Sequence, residues 1–111
     1  MSLNQDASGN LDADAKIVEL AELRATRLGF TFVDVRKVQP SPEALEAVPA
    51  HVAQEYELLP LEREQDHLVV AVSEPLSPEQ TDRLRFTLEY PIRTQLAVRE
   101  HLLAAIARWY G

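Results

Sequence analysis

The sequence predicts an α+β domain, with a small mixed or antiparallel sheet of about four short strands packed with helices and an amphipathic helix in front. Three observations carry this reading. Stretches of alternating or continuous apolar residues are interleaved with stretches of helical spacing. Ser-Pro-Glu, a helix-start signature, occurs twice, at Ser41 and Ser77. Prolines stand at most of the joints between segments, where they reset the chain.

In chain order, Ile17, Leu20, Ala21 and Leu28 recur at helical spacing with Leu23 beside them, which predicts a first helix over 12–28. Gly29 follows as its stop, because glycine tolerates the left-handed conformation that ends helices. "FTFVDV" then predicts a strand over 30–35, with Phe30 and Phe32 on one face and β-branched Thr31, Val33 and Val35 favouring extension. Ser41 caps and Pro42 starts a short helix, and Pro49 ends it and starts another that carries Val52 and Tyr56.

Leu59 and Leu61 alternate with Pro60 and Glu62, predicting a strand over 58–63 confined to an edge by its proline. "HLVVAV", 67–72, is nearly unbroken in apolar character and reads as buried on both faces. The polar turn Glu64-Gln65-Asp66 joins the two as a hairpin. Ser77-Pro78-Glu79-Gln80 matches the capping box and opens a helix to about Glu89. Tyr90-Pro91 leads into a strand over 92–98, and Leu102, Ala105, Ile106 and Trp109 share the stripe of a last helix. Trp109 reads as core and Tyr110 as the freer of the two aromatic residues.

At 111 residues the chain has the size of one domain, and 46% hydrophobic with 26% charged residues is an ordinary globular balance. Residues 1–11 read as a flexible leader or expression remnant, leaving 12–111 as the domain. The net charge of −7, from 18 acidic and 11 basic residues, repels phosphate backbones and anionic head groups, so nucleic acid is not expected as a partner. No apolar run approaches the ~20 residues of a membrane span, so direct membrane insertion is not expected. The absence of cysteine removes disulfides, thiolate catalysis and Cys-ligated zinc, and fits a cytoplasmic location.

Chemistry is sparse. His51, His67 and His101 lack metal-ligand spacing apart from a loose pairing of His51 with Glu55. Neither a Gly-rich phosphate loop nor a nucleophile elbow is present, and Glu62 and Glu64 read as a solvated strand face rather than an acid/base pair. We therefore expect a non-catalytic domain with no catalytic residues, no metal and no cofactor. Arg24 and Arg27 on the first helix are a candidate anion site or an exposed face balanced by Glu19 and Glu22.

Read in order, "TRLGFTFVDV", "PSPEALEAVPAHVAQEYELLPLEREQDHLVVAVSEP" and "REHLLAAIARWYG" resemble the amino-terminal domain of type II secretion and type IV pilus assembly ATPases. Residues 15–111 follow that pattern almost throughout, with Pro49, Ala53, Tyr56, Leu59-Pro60-Leu61, Ala71 and Pro75 in register. Two positions depart from it: Asp66 stands for a hairpin glycine and takes the turn conformation at some cost, and Glu74 stands for an aspartate before proline.

The resemblance implies an adaptor that docks the motor onto the cytoplasmic domain of an inner-membrane secretion or pilus assembly protein, peripheral to that membrane through its partner. The candidate partner-binding residues are Ile17, Leu20, Arg24 and Arg27. Two alternatives remain: the same module attached to a membrane glycosyltransferase, or a cyclic di-GMP-sensing regulatory module. Some family members bind that ligand through a preceding R-L-G-x-x-L-x-x-x-G segment. Arg27-Leu28-Gly29 looks like its start but continues as Phe30-Thr31-Phe32-Val33-Asp34, so cyclic di-GMP is expected to be an unlikely partner. The first helix has two open roles, interface or core.

Overall fold

In a computed structural model of the chain, residues 2–111 are described, with side chains from residue 13 onward. Five helices, α1 (Ser2–Leu28), α2 (Pro42–Ala47), α3 (Ala50–Tyr56), α4 (Pro78–Leu88) and α5 (Arg99–Tyr110), surround three strands, β1 (Leu58–Arg63), β2 (Leu68–Val72) and β3 (Ile92–Leu96). The α+β class holds, with three strands rather than four. Helix α1 is assigned from Ser2 rather than Asp12. The side chains of residues 1–12 lie outside the described residues, and with them the leader expected over 1–11.

The local signals act as their chemistry requires. Ser41 Oγ accepts from the Ala44 N–H at 3.2 Å with Pro42 next to it, which starts α2. The capping box of α4 is complete: Gln80 N–H donates to Ser77 Oγ at 3.1 Å and Ser77 N–H to Gln80 Oε1 at 3.0 Å. Helices α3 and α4 both end on left-handed glutamates, Glu57 at φ 51° and Glu89 at φ 64°, positions that glycine fills with less strain. Asp66, expected to adopt that conformation, is not among the positive-φ residues. Its turn is closed instead by Glu64 N–H donating to His67 O at 2.8 Å.

The sheet order is β1-β2-β3, antiparallel between β1 and β2 and parallel between β2 and β3, with α4 as the crossover. Pro60 lies on edge strand β1, as its missing N–H requires. Pro60 pairs with Val70 but Glu62 with Val69, so Leu61 is a bulge. The Leu61 carbonyl accepts from Ser41 N–H at 3.0 Å, which ties the start of α2 to the sheet. All five residues of β2 are buried, the expected result for a central strand covered on both sides. Helices α2 and α3 pack on β1, α5 on β1 and β2, and α1 and α4 on β3.

The strand expected over 30–35 is reduced to one parallel bridge, Phe32 with Leu96, flanked by Val33 N–H to Leu96 O at 2.8 Å and Leu96 N–H to Thr31 O at 2.9 Å. Local bonds claim the chain on both sides. Phe30 N–H donates to Ala25 O at 2.8 Å, part of the α1 terminus. Asp34 Oδ1 accepts from Arg36 N–H at 3.1 Å, and Lys37 N–H closes a turn onto Asp34 O. Asp34 also pairs with the Arg36 guanidinium at 2.9 Å, which holds its carboxyl below the usual carboxylate range.

Leu58, Leu59, Leu68, Val70, Leu84 and Leu102 are fully buried and form the centre of the core, joined by Leu96 and Ile106. Each such side chain contributes about 1.5–3 kcal/mol relative to exposure. At the end of α5 both aromatic residues pack against the core, which fits the reading of Trp109 and corrects that of Tyr110. Trp109 is only half-buried, with Arg108 over its ring at 5.4 Å. Tyr110, expected to be the freer, is also half-buried and its hydroxyl donates to Val48 O at 2.9 Å.

Candidate functional site: the exposed face of the first helix

Helix α1 ends at Gly29, φ +81°, whose N–H donates to Thr26 O at 3.0 Å. Among the described α1 side chains only Ala25 is buried, while Val18 and Ala21 are half-buried. Small residues let the helix approach the sheet closely, and the larger apolar residues are left outside. Ile17 is 43% exposed, Leu20 65%, Leu23 52% and Leu28 47%.

The four candidate residues therefore separate. Ile17 and Leu20 are accessible, and Ile17 borders a groove of about 210 Å³ shared with Ala21, Leu96, Val98 and Glu100. Arg24 is engaged: one guanidinium nitrogen donates to Glu74 Oε2 and the other to Ser73 O at 3.3 Å. It latches α1 to the end of β2. Arg27 is exposed and makes no ion pair among the described residues. Arg24 is thus occupied by Glu74 and Ser73, while Arg27 is not.

A continuous stripe emerges that sequence reading divided differently. Lys16, Leu20, Leu23 and Arg27 follow at i, i+4, i+7 and i+11 on the side of α1 away from Ala25, and all are exposed. The periodicity was visible in the sequence, but which of two adjacent apolar flanks would meet the sheet was not.

Elsewhere the titratable groups lack the arrangement of a reaction centre. His67 Nδ1 lies 2.8 Å from Asp66 Oδ1 and must donate, since an ionised carboxylate only accepts; this bond holds the Asp66 carboxyl below its usual range. Glu64 lies outside β1 with Oε2 3.3 Å from His67 Nε2, so it does not share a strand face with Glu62. Among the described residues no group of His, Cys, Asp and Glu could hold a metal ion, and no helix is long and apolar enough to cross a membrane. A recess of about 340 Å³ between 33–39 and the sheet is lined by Val33, Val38, Leu61 and Val69 with Gln39, Glu62 and Gln95. It presents neither a nucleophile nor a base beside one.

Comparison with known proteins places this geometry. The chain is 26% identical over 93 residues to the type IV pilus assembly ATPase PilB of Myxococcus xanthus, covering 84% of this chain and 16% of that protein. It is 28% identical over 109 residues to PilB of Thermus thermophilus, covering 94% of this chain and 12% of that one. The chain thus spans less than a fifth of these ATPases. The N-terminal domain of XpsE superposes with a TM-score of 0.66 at 22% identity, covering 81% of this chain and 64% of that one. MshE, solved with cdg, superposes at 0.71 and 23% identity, covering 82% and 66%. That last finding corrects one expectation: a protein of this fold has been solved with cyclic di-GMP, so the fold gives no ground for ranking that ligand as unlikely. The MshEN domain profile matches residues 28–111, and the chain belongs to the MshEN domain family, as an amino-terminal domain of the type II secretion and type IV pilus ATPase kind.

Proposed function

We propose that this chain is a non-catalytic docking domain of a secretion or pilus-assembly ATPase, holding the motor to the cytoplasmic domain of an inner-membrane assembly protein. The observation that carries the reading is the exposed apolar face of α1, anchored to the domain by one buried alanine and a surface ion pair. Such a face binds by burying leucines against a partner, as amphipathic helices do in grooves. The likeness to two PilB ATPases favours a motor over a glycosyltransferase as the parent.

The test is a pull-down against the cytoplasmic domain of the cognate membrane protein, with Leu20→Asp in the full chain and a second chain lacking residues 1–28. Leu20 is mostly exposed, so the substitution is expected to abolish binding and leave the circular dichroism melt unchanged. Retained binding by either chain while folded refutes the docking assignment.

A second reading, cyclic di-GMP sensing, is favoured by the MshE structure with cdg. Calorimetric titration decides between them: saturable binding that is lost on Arg27→Ala puts ligand sensing ahead of docking.

A further inference from the structure

Helix α4 carries an unpartnered face of its own. Leu84 and Leu88 are buried, and Phe86, between them on the opposite side, is 87% exposed. Asp82 and Glu89 flank it at i−4 and i+3, both exposed and neither in an ion pair among the described residues. Glu79 lies on the same side but is paired with Arg83 at 3.3 Å. Beside Phe86 opens a broad hollow formed by Arg85, Thr87, Glu89, Tyr90 and Pro91.

This face complements the α1 stripe. On α1, two leucines are bracketed by two unpaired cations, Lys16 and Arg27; on α4, one phenylalanine is bracketed by two unpaired carboxylates. Lys16 and Arg27 stand about 16 Å apart along their helix; Asp82 lies one turn before Phe86 on α4, and Glu89, the left-handed C-cap of that helix, borders the same hollow as Phe86. The long stems of lysine and arginine let their charged ends reach these carboxylates when Phe86 seats between Leu20 and Leu23. On the flanks the signs also match, with Glu19 beside Leu23 and Arg85 beside Phe86.

One chain cannot close this contact on itself. Strands β2 and β3 run parallel. Helix α1 lies where they end, with Ile17, Ala21 and Arg24 against Ser73, Glu74 and Leu96–Glu100. Phe86, Tyr90 and Pro91 lie where β3 begins. We infer that the occupant of the Phe86 face is the α1 stripe of a second copy of this chain, in a head-to-tail contact that leaves a free α1 at one end and a free α4 at the other. Heterologous contacts of this kind propagate into rings or open chains rather than stopping at a symmetric pair. The contact is small and belongs to the weak, transient class.

The inference goes beyond the docking proposal and is tested without its partner. Sedimentation equilibrium on the purified chain, up to about 1 mM where weak contacts are populated, is expected to show a weight-average mass rising with concentration above the 12.5 kDa monomer. Phe86→Asp and Leu20→Asp, both at exposed positions, are each expected to abolish the rise. Mixed in equal amounts, the two variants are expected to form a one-to-one complex and nothing larger, because one retains the α1 stripe and the other the Phe86 face. A wild-type chain that stays monomeric throughout overturns the inference. So does association that survives Phe86→Asp, which would mean α1 pairing with α1, and so does a mixture that fails to associate.

Discussion

Replacing Tyr110 with phenylalanine removes one hydroxyl, a hydrogen-bond donor, and little else. The hydroxyl donates to Val48 O at 2.9 Å across 62 residues of sequence, joining the last turn of α5 to the residue that ends α2. Val48 is fully buried, so its carbonyl has no ready access to water once the hydroxyl is gone. Losing one such bond and stranding its acceptor costs about 1 kcal/mol, which lowers the melting temperature of a domain this size by about 4–8 °C. Burial of the hydroxyl also gives it a pH signature. Burial pushes the Tyr110 hydroxyl up to about 12, above the value of 10 for an unburied tyrosine. The folded state therefore holds this proton more tightly than the unfolded chain, and stability falls as pH rises from 10 toward 12. Thermal melts of wild type and Tyr110→Phe, followed by circular dichroism at neutral and alkaline pH, check both parts: the gap between the two is largest at neutral pH and narrows above pH 10. If the two proteins melt together at neutral pH, the bond does not hold α5 to α2; if the gap does not narrow in alkali, burial does not hold the hydroxyl above its ordinary range.

Leu84→Ala, at a fully buried position, is expected to cost about 2–5 kcal/mol in urea unfolding, with the cost set by how far the core closes around the lost atoms. Ser77→Ala removes one half of the capping box and is expected to cost about 1 kcal/mol by the same measurement. Glu89→Gly relieves a left-handed glutamate at the end of α4 and is expected to stabilise the domain by about 1 kcal/mol. Arg24→Ala breaks an exposed ion pair, so the global melt is expected to shift by less than about 1 kcal/mol while amide exchange in residues 20–28 quickens.

What could be read from the sequence were features settled by neighbours in sequence. Ser77 with Gln80, Ser41 with Pro42, and the hairpin of β1 and β2 all depend on contacts within a few residues, and all formed as expected. The strand at 30–35 failed for the same reason in reverse. Its β-branched residues favour extension, but Asp34 offered the following backbone a nearer acceptor and Ala25 kept hold of Phe30 N–H. Tyr110 was misread because its partner, Val48, is a backbone carbonyl far away in sequence, with no side-chain signal to mark it. Phe86 was legible in principle: two residues from both Leu84 and Leu88, it had to face away from whatever they packed against.

The helix α1 was open between interface and core because its apolar residues cover more of the helix circumference than one sheet contact can bury. The structure resolves that excess by turning one flank of the helix to the sheet. Ala25 is buried with Val18 and Ala21 half-buried beside it on one flank, and Leu20, exposed to 65%, stands on the far flank between Lys16 and Arg27. Both proposals made for this domain draw on that flank, the docking of a membrane-protein partner and the seating of Phe86 from a second copy. A surface covered by one is closed to the other, so the two events compete. By linkage the competition is reciprocal: whatever free energy self-association contributes, partner binding must offset, and bound partner must disperse head-to-tail assemblies to the same extent. Adding the partner's cytoplasmic domain to the concentrated chain should therefore lower the mass of its assemblies, whereas Phe86→Asp, which cannot self-associate, should bind that partner more tightly than wild type.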